Sequence, residues 1–139
     1  MTFSDFRAHT TPLFSKLKIV KVRDVIKMQH LKLVFEFKQN ALPDELMTLF
    51  EVDTNIHNYA TSSATKDLLH IPEIHTLTYG NKSIRYLCPL SWNQTFKKDV
   101  PINNNKNGVI RVDEIHSLPQ FKNLMKKHYL YTYGGNNHD

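Results

Sequence analysis

The stretch that most limits what this chain can become is Val22 to Gln39, VRDVIKMQHLKLVFEFKQ. It holds neither Gly nor Pro and carries two apolar rows. Val22, Val25, Ile26, Leu33 and Phe37 form one, at steps of three, four and seven. Met28, Leu31 and Phe35 form the other. Two such rows make a stripe wider than the roughly 100° that one packed neighbour needs, so the segment predicts a helix buried on two sides. Arg23, Lys27, His30, Lys32, Glu36 and Lys38 fill the wet remainder.

Shorter elements flank it. Residues 1–9 are polar and unpatterned, a flexible N-terminus. Thr10, Thr11 and Pro12 open a helix that presents Leu13, Phe14 and Leu17. Asn40 is a stop, and Leu42-Pro43 a boundary, because the residue before Pro is pushed out of helical geometry. Pro43-Asp44-Glu45 starts a third helix with two acids in its first turn. Residues 10–50 thus read as a three-helix cluster.

After Val52 the pattern changes. Residues 53–67 are rich in Asn, Ser and Thr and lack period, as in a long loop. Leu69, Ile71, Ile74, Leu77 and Tyr79 give short β-like runs. Tyr79-Gly80-Asn81-Lys82 is a turn signal, and Ser83 to Leu87 reads as another strand. A small β-hairpin over about 68–88 follows, inside a loop-and-hairpin region 51–93. Pro89 to Asn93 starts a helical turn. Residues 103–108, NNNKNG, read as a solvated loop. Ser117 and Pro119 then open an amphipathic helix over 118–129, with Leu118, Phe121, Leu124 and Met125 on its apolar stripe. Residues 131–139 read as a disordered tail. The expected fold class is α+β, one domain over 10–130, with Tyr59 and Trp92 anchoring the loop across the helices.

Composition narrows function. No run of about 18 apolar residues exists, and the N-terminal stretch has no apolar signal core, so neither membrane span nor secretion is expected. The single cysteine, Cys88, excludes an internal disulfide and suits a reducing compartment, cytoplasmic or nuclear. Nothing in the sequence implies a cofactor. The net charge is +5, from 18 Lys/Arg against 13 Asp/Glu. Such a balance suits a polyanion, and equally keeps a small domain in solution. Fourteen of the cations are Lys. A point charge serves phosphate contact better than base readout, so binding to RNA or an RNA–DNA duplex would be nearly sequence-independent.

Residue chemistry for catalysis is thin. His57, His70, His75 and Cys88 lack the tight ligand pairs of zinc sites. Cys88 with a histidine would make a nucleophile pair, but it lies between Leu87 and Pro89, where Cys is commonly a small buried hydrophobe. Asp113 and Glu114 are adjacent and point to opposite faces of an extended chain. Four glycines offer no phosphate-cradling loop. The fuller signal is basic residues interleaved with aromatics. Phe96-Lys97-Lys98 and Phe121-Lys122 through Lys126-Lys127 could track phosphates, with Tyr129, Tyr131 and Tyr133 for stacking. Residues 97–127 hold seven cations (Lys97, Lys98, Lys106, Arg111, Lys122, Lys126 and Lys127) against three acids, Asp99, Asp113 and Glu114.

Six stretches then occur in a telling order. His9 to Ile19 is HTTPLFSKLKI, and Asp24 to Lys32 is DVIKMQHLK. Leu42-Pro43 follows, then HNYATS from His57, CPLSWN from Cys88 and SLPQFKNLMKK from Ser117. In this order, over about residues 9–130, they resemble the segment downstream of the polymerase core in animal non-LTR (LINE-like) retrotransposon reverse transcriptases. That segment often reads H-T-x-P-L-F-x-K-L-x-I, D-x-x-K-x-Q-x-L-K, L-P, H-N-Y-N-T-R, G-P-x-x-W-N and S-x-x-x-F-K-x-x-L-K-K. Ala60, Ser62 and Cys88 depart from it, and the loss of Arg at 62 would weaken any contact that Arg makes. The F/Y-A-D-D signature of the polymerase palm does not occur in the sequence. The resemblance implies a C-terminal, non-catalytic module that sits beside RNA or the template–primer duplex. Tyr59, Pro89, Trp92 and Asn93 are its structural positions. A second expectation comes from the over-wide stripe of Val22–Gln39: a protein-interaction module that packs on a reverse transcriptase core or another partner.

Overall fold

The computed structural model describes residues 10–52, 68–76, 78–96, 103–104, 108–109 and 115–134. The elements are α1 (Thr10–Leu17), α2 (Val22–Lys38), α3 (Asp44–Met47), α4 (Ile84–Phe96) and α5 (Leu118–Gly134). A two-residue antiparallel ladder joins β1 (Asn103–Asn104) to β2 (Gly108–Val109), pairing Asn103 with Val109. All of it but Val109 falls within 103–108, the stretch read as a solvated loop.

The fold is mainly helical, which overturns the α+β expectation. The hairpin over 68–88 does not form. Residues 68–76 run without regular structure, Gly80–Lys82 makes one 3-10 turn, and the chain from Ile84 to Phe96 is a single helix. Its buried residues are Cys88, Pro89 and Trp92, with Leu87, Ser91, Thr95 and Phe96 half-buried beside them, a spacing that suits a helix. The run Ser83–Leu87 is too short to separate a period of two from 3.6. Pro89 looked like a helix start but sits inside α4. It cannot donate to the Arg85 carbonyl, and an interior Pro costs about 3 kcal/mol in an isolated helix. Its full burial offsets part of that cost. Gly80 makes no tight hairpin turn either, and no described glycine has positive φ. A Cβ on Gly80 would collide with Ile74 Cγ2, so the close approach of Ile74 favours glycine there.

The helix expected over 22–39 is present, but its burial differs. Leu31, Val34 and Phe35 are buried, all in the C-terminal half. Val22, Val25 and Ile26 are exposed, so the first turns of the helix are open on that side. Along that enclosed part, α2 packs on α4 and α5, while α1 rests against α5. Leu31, Val34, Phe35, Phe50, Leu69, Cys88, Trp92, Ile115, Phe121, Leu124 and Met125 form one core. Phe35 stacks on Phe121 with centroids 4.5 Å apart, and Trp92 lies 6.3 Å from the same ring.

α2 and α1 end alike. Asn40 has φ 53°, and the Asn40 and Ala41 amides donate to the carbonyls of Phe37 and Glu36 at 3.0 and 2.9 Å. That is a Schellman closure. After α1, Lys18 has φ 54°, and Lys18 and Ile19 donate to Ser15 and Phe14 at 3.1 and 3.0 Å. Asn tolerates this left-handed backbone, whereas Lys is strained by its Cβ. Replacing Lys18 with Gly should therefore stabilise the chain by about 0.5–1 kcal/mol. Urea unfolding should show a higher midpoint at unchanged slope, and a lower midpoint would refute the strained cap.

Candidate nucleic-acid interface

α5 is the element expected to meet phosphates. Phe121, Leu124, Met125 and Tyr133 are its buried residues, and Lys122, Lys126 and Lys127 are exposed. At ~100° per residue, Lys122 and Lys126 lie ~40° apart and Lys127 ~100° further, so the three span an arc of ~140°. No ion pair among the described residues engages them; the one found is Lys32–Glu36 at 3.8 Å. Lys97, Lys98, Lys106 and Arg111 lie outside the described residues, as does Tyr59.

The expected aromatic surface is mostly taken up by packing. Phe121 is in the core, and Phe96 packs on Trp92 at 4.4 Å. Tyr133 is buried, and Tyr129 is half-buried. Of the three tyrosines read as stacking surfaces, Tyr131 alone is exposed. The tail assigned to 131–139 is helical as far as Gly134, because Tyr133 docks. Its hydroxyl donates to Asp24 Oδ2 and accepts the Lys21 amide at 3.1 Å. Lys21 Nζ sits 5.0 Å over the Tyr133 ring and donates to Thr11 Oγ1 at 2.8 Å. These contacts bind α1, the start of α2 and the end of α5 together. Burial pushes the Tyr133 hydroxyl up to about 12, with its hydrogen bond to Asp24 adding to the shift. Burial likewise raises Tyr129 to about 12, and Asp24 contributes. No motif in the sequence signalled this cluster.

Pro89, Trp92 and Asn93 come together on α4, and their role is architectural. Trp92 is 3% exposed, with Lys38 Nζ 5.3 Å over its ring. Asn93 grips the backbone of Leu69 from both sides: Oδ1 accepts its N–H at 3.0 Å and Nδ2 donates to its carbonyl at 2.7 Å. Leu69 is also bridged to Val52, and the His70 amide donates to the Glu51 carbonyl at 2.9 Å. The Asn93 amide therefore stands in for a strand along an otherwise irregular segment.

The alternative chemistries can also be placed. Cys88 is fully buried, and desolvation lifts its thiol to about 12, so it is no thiolate nucleophile near neutral pH. Among the described residues no three His, Cys, Asp or Glu side chains converge as a metal site, and His57 lies outside them. No helix among the described residues is long and apolar enough to cross a membrane. Neither family models, nor curated proteins, nor solved structures provide a match to this chain.

Two histidines carry a pH consequence. Burial lowers His30, which faces Ser91 Oγ at 3.4 Å, and burial lowers His128. In the unfolded chain both protonate near 6.5, before their folded counterparts do. The unfolded state then binds more protons, so stability should fall as pH drops below 6.5 and stay flat just above it. Urea midpoints between pH 7.5 and 5.5 test this, and a double His30→Gln, His128→Gln variant should lose most of the slope. An unchanged slope would exclude these two groups as its source.

The Asn93 grip is tested by Asn93→Ala, which leaves two groups of the buried Leu69 backbone unpartnered. A loss of about 2–4 kcal/mol is expected by chemical denaturation. A change below about 0.5 kcal/mol would show that those groups find other partners.

Proposed function

We propose that the chain is a non-catalytic binding module of the kind found after the polymerase palm in non-LTR retrotransposon reverse transcriptases, and that the outer side of α5 meets the phosphates of RNA or a template–primer duplex. The observation that carries this reading is the division of α5. Phe121, Leu124 and Met125 anchor it in the core, while Lys122, Lys126 and Lys127 stand in solvent beside exposed Tyr131. The helix is held by these side chains and, in its last turn, by Tyr133, while the first turns offer cations to solvent, which suits contacts that position a backbone rather than read bases. Support comes also from the Trp92-Asn93 pair, which the resemblance marks and which packs and pins the fold. A reducing compartment, cytoplasm or nucleus, accords with one fully buried cysteine.

The test is binding of the intact chain to single-stranded RNA and to an RNA–DNA duplex at two salt concentrations. Affinity should vary little with sequence and fall with salt, at a log–log slope of about −0.7 to −0.9 per phosphate neutralised. A variant with Lys122, Lys126 and Lys127 changed to Gln should bind more weakly and lose about 2–3 units of slope magnitude. Equal affinity of the two proteins, or no binding at low salt, would overturn the assignment. Primer extension with an RNA template and Mg²⁺ should give no product above blank, and incorporation would refute the non-catalytic reading.

A further inference from the structure

The first half of α2, the turn before it and the last residue of α1 expose apolar side chains that the nucleic-acid reading leaves unused. Val22 is 77% exposed, Ile26 52%, Val25 40%, Leu17 52% and Ile19 51%. Val22, Val25 and Ile26 follow the i, i+3, i+4 rule, so they form one seam on the side of α2 away from Leu31 and Phe35. The seam does not stop at Ile26. Its next apolar members are Leu33 and Phe37, and these are partly buried against the core. Phe37 meets Phe50 edge-on at 5.4 Å, so the segment that follows α3 covers the far end of the stripe. The same side of α2 is thus covered at its C-terminal end by Phe50 and exposed at its N-terminal end, with the polar Gln29 and His30 between.

Among the described residues, the charges exposed at the open end, on α1, α2 and the turn between them, have one sign. Lys16, Lys18, Arg23 and Lys27 are exposed there. The single acid between residues 10 and 35 is Asp24, and the Tyr133 hydroxyl holds it. We propose that this seam docks a helix of another protein, one whose apolar ridge is flanked by acidic side chains. The helix would extend the cover that the Phe50 segment begins. Two copies of this chain would set like charges against each other across the seam, so a second copy is a poor occupant. An anionic membrane would match the charge. However, the exposed residues are aliphatic and mostly β-branched, without the aromatic anchors that favour the lipid interface, and such side chains suit a helix seam. The surface is separate from α5's lysines, and the proposal stands whether or not nucleic acid binds there.

The experiment uses the intact chain and two labelled synthetic helical peptides. Both carry Leu at i, i+3, i+4 and i+7; one has Glu on the flanks and the other Lys. Anisotropy should show binding of the Glu-flanked peptide at least tenfold tighter than of its Lys-flanked twin. Replacing Val25 and Ile26 with Gln should weaken it at least tenfold without moving the thermal midpoint. Should that pair disturb folding, Val22→Gln alone replaces it with the same expected direction. The Lys122, Lys126, Lys127 to Gln variant should bind the acidic peptide as the unaltered chain does, which separates this result from the nucleic-acid test. Equal affinity for both peptides, no affinity for either, or unaltered binding by the seam variants would overturn the proposal. So would salt-resistant dimerisation lost on seam substitution, or a preference for phosphatidylserine vesicles over the acidic peptide.

Discussion

Three aromatic rings hold the long helices to one another. Phe35 from α2 lies flat on Phe121 from α5 at 4.5 Å, and Trp92 from α4 stands 6.3 Å from the same ring. Each belongs to a different helix, and the helices are joined by stretches too long to fix their relation locally. Ring-on-ring contact removes large apolar areas from water and prefers a limited set of geometries, so it sets orientation as well as attraction. Around it the smaller parts fit: Leu31, Val34, Cys88, Leu124 and Met125 fill the space that the rings leave. The cations of α5 face solvent because Phe121 faces the other way.

What could be read in the sequence was periodicity in long segments with clean ends. α2 showed its length through two apolar rows and its stop through Asn40, whose left-handed backbone closes the helix. α5 showed its start through Ser117 and Pro119 and its core side through Phe121, Leu124 and Met125. The misreadings have local causes. α4 begins with a β-like run and hides a proline in its interior, so local propensity opposed the structure that packing with Trp92 selects. Lys18 ends α1 in a conformation that a lysine does not announce. The last turn of α5 depends on Tyr133 reaching Asp24 and Lys21, more than a hundred residues away in sequence, and no local signal encodes such a contact.

The candidate site divides in the same way. Lys122, Lys126 and Lys127 were legible because a helix with a known core side fixes where its other residues stand. The tyrosines were not, because Tyr129 and Tyr133 are shielded by contacts between distant elements while Tyr131, between them, is free to solvent. The apolar rows of α2 showed how much surface wanted cover, but not that this chain covers half of it. A pattern records the need for a neighbour without recording which chain supplies it.

The side chain of Asn93 has a consequence for how this chain tolerates change. It holds the Leu69 backbone while Glu51 and Val52 hold the same strip from the other side. Val52 and Leu69, far apart in the sequence, are therefore clasped together. Closing a loop whose ends are already fixed costs little more when the loop grows, about 0.6 kcal/mol for each doubling. For residues inserted between Val52 and Leu69, the entropic part of the cost to the helices would therefore be small.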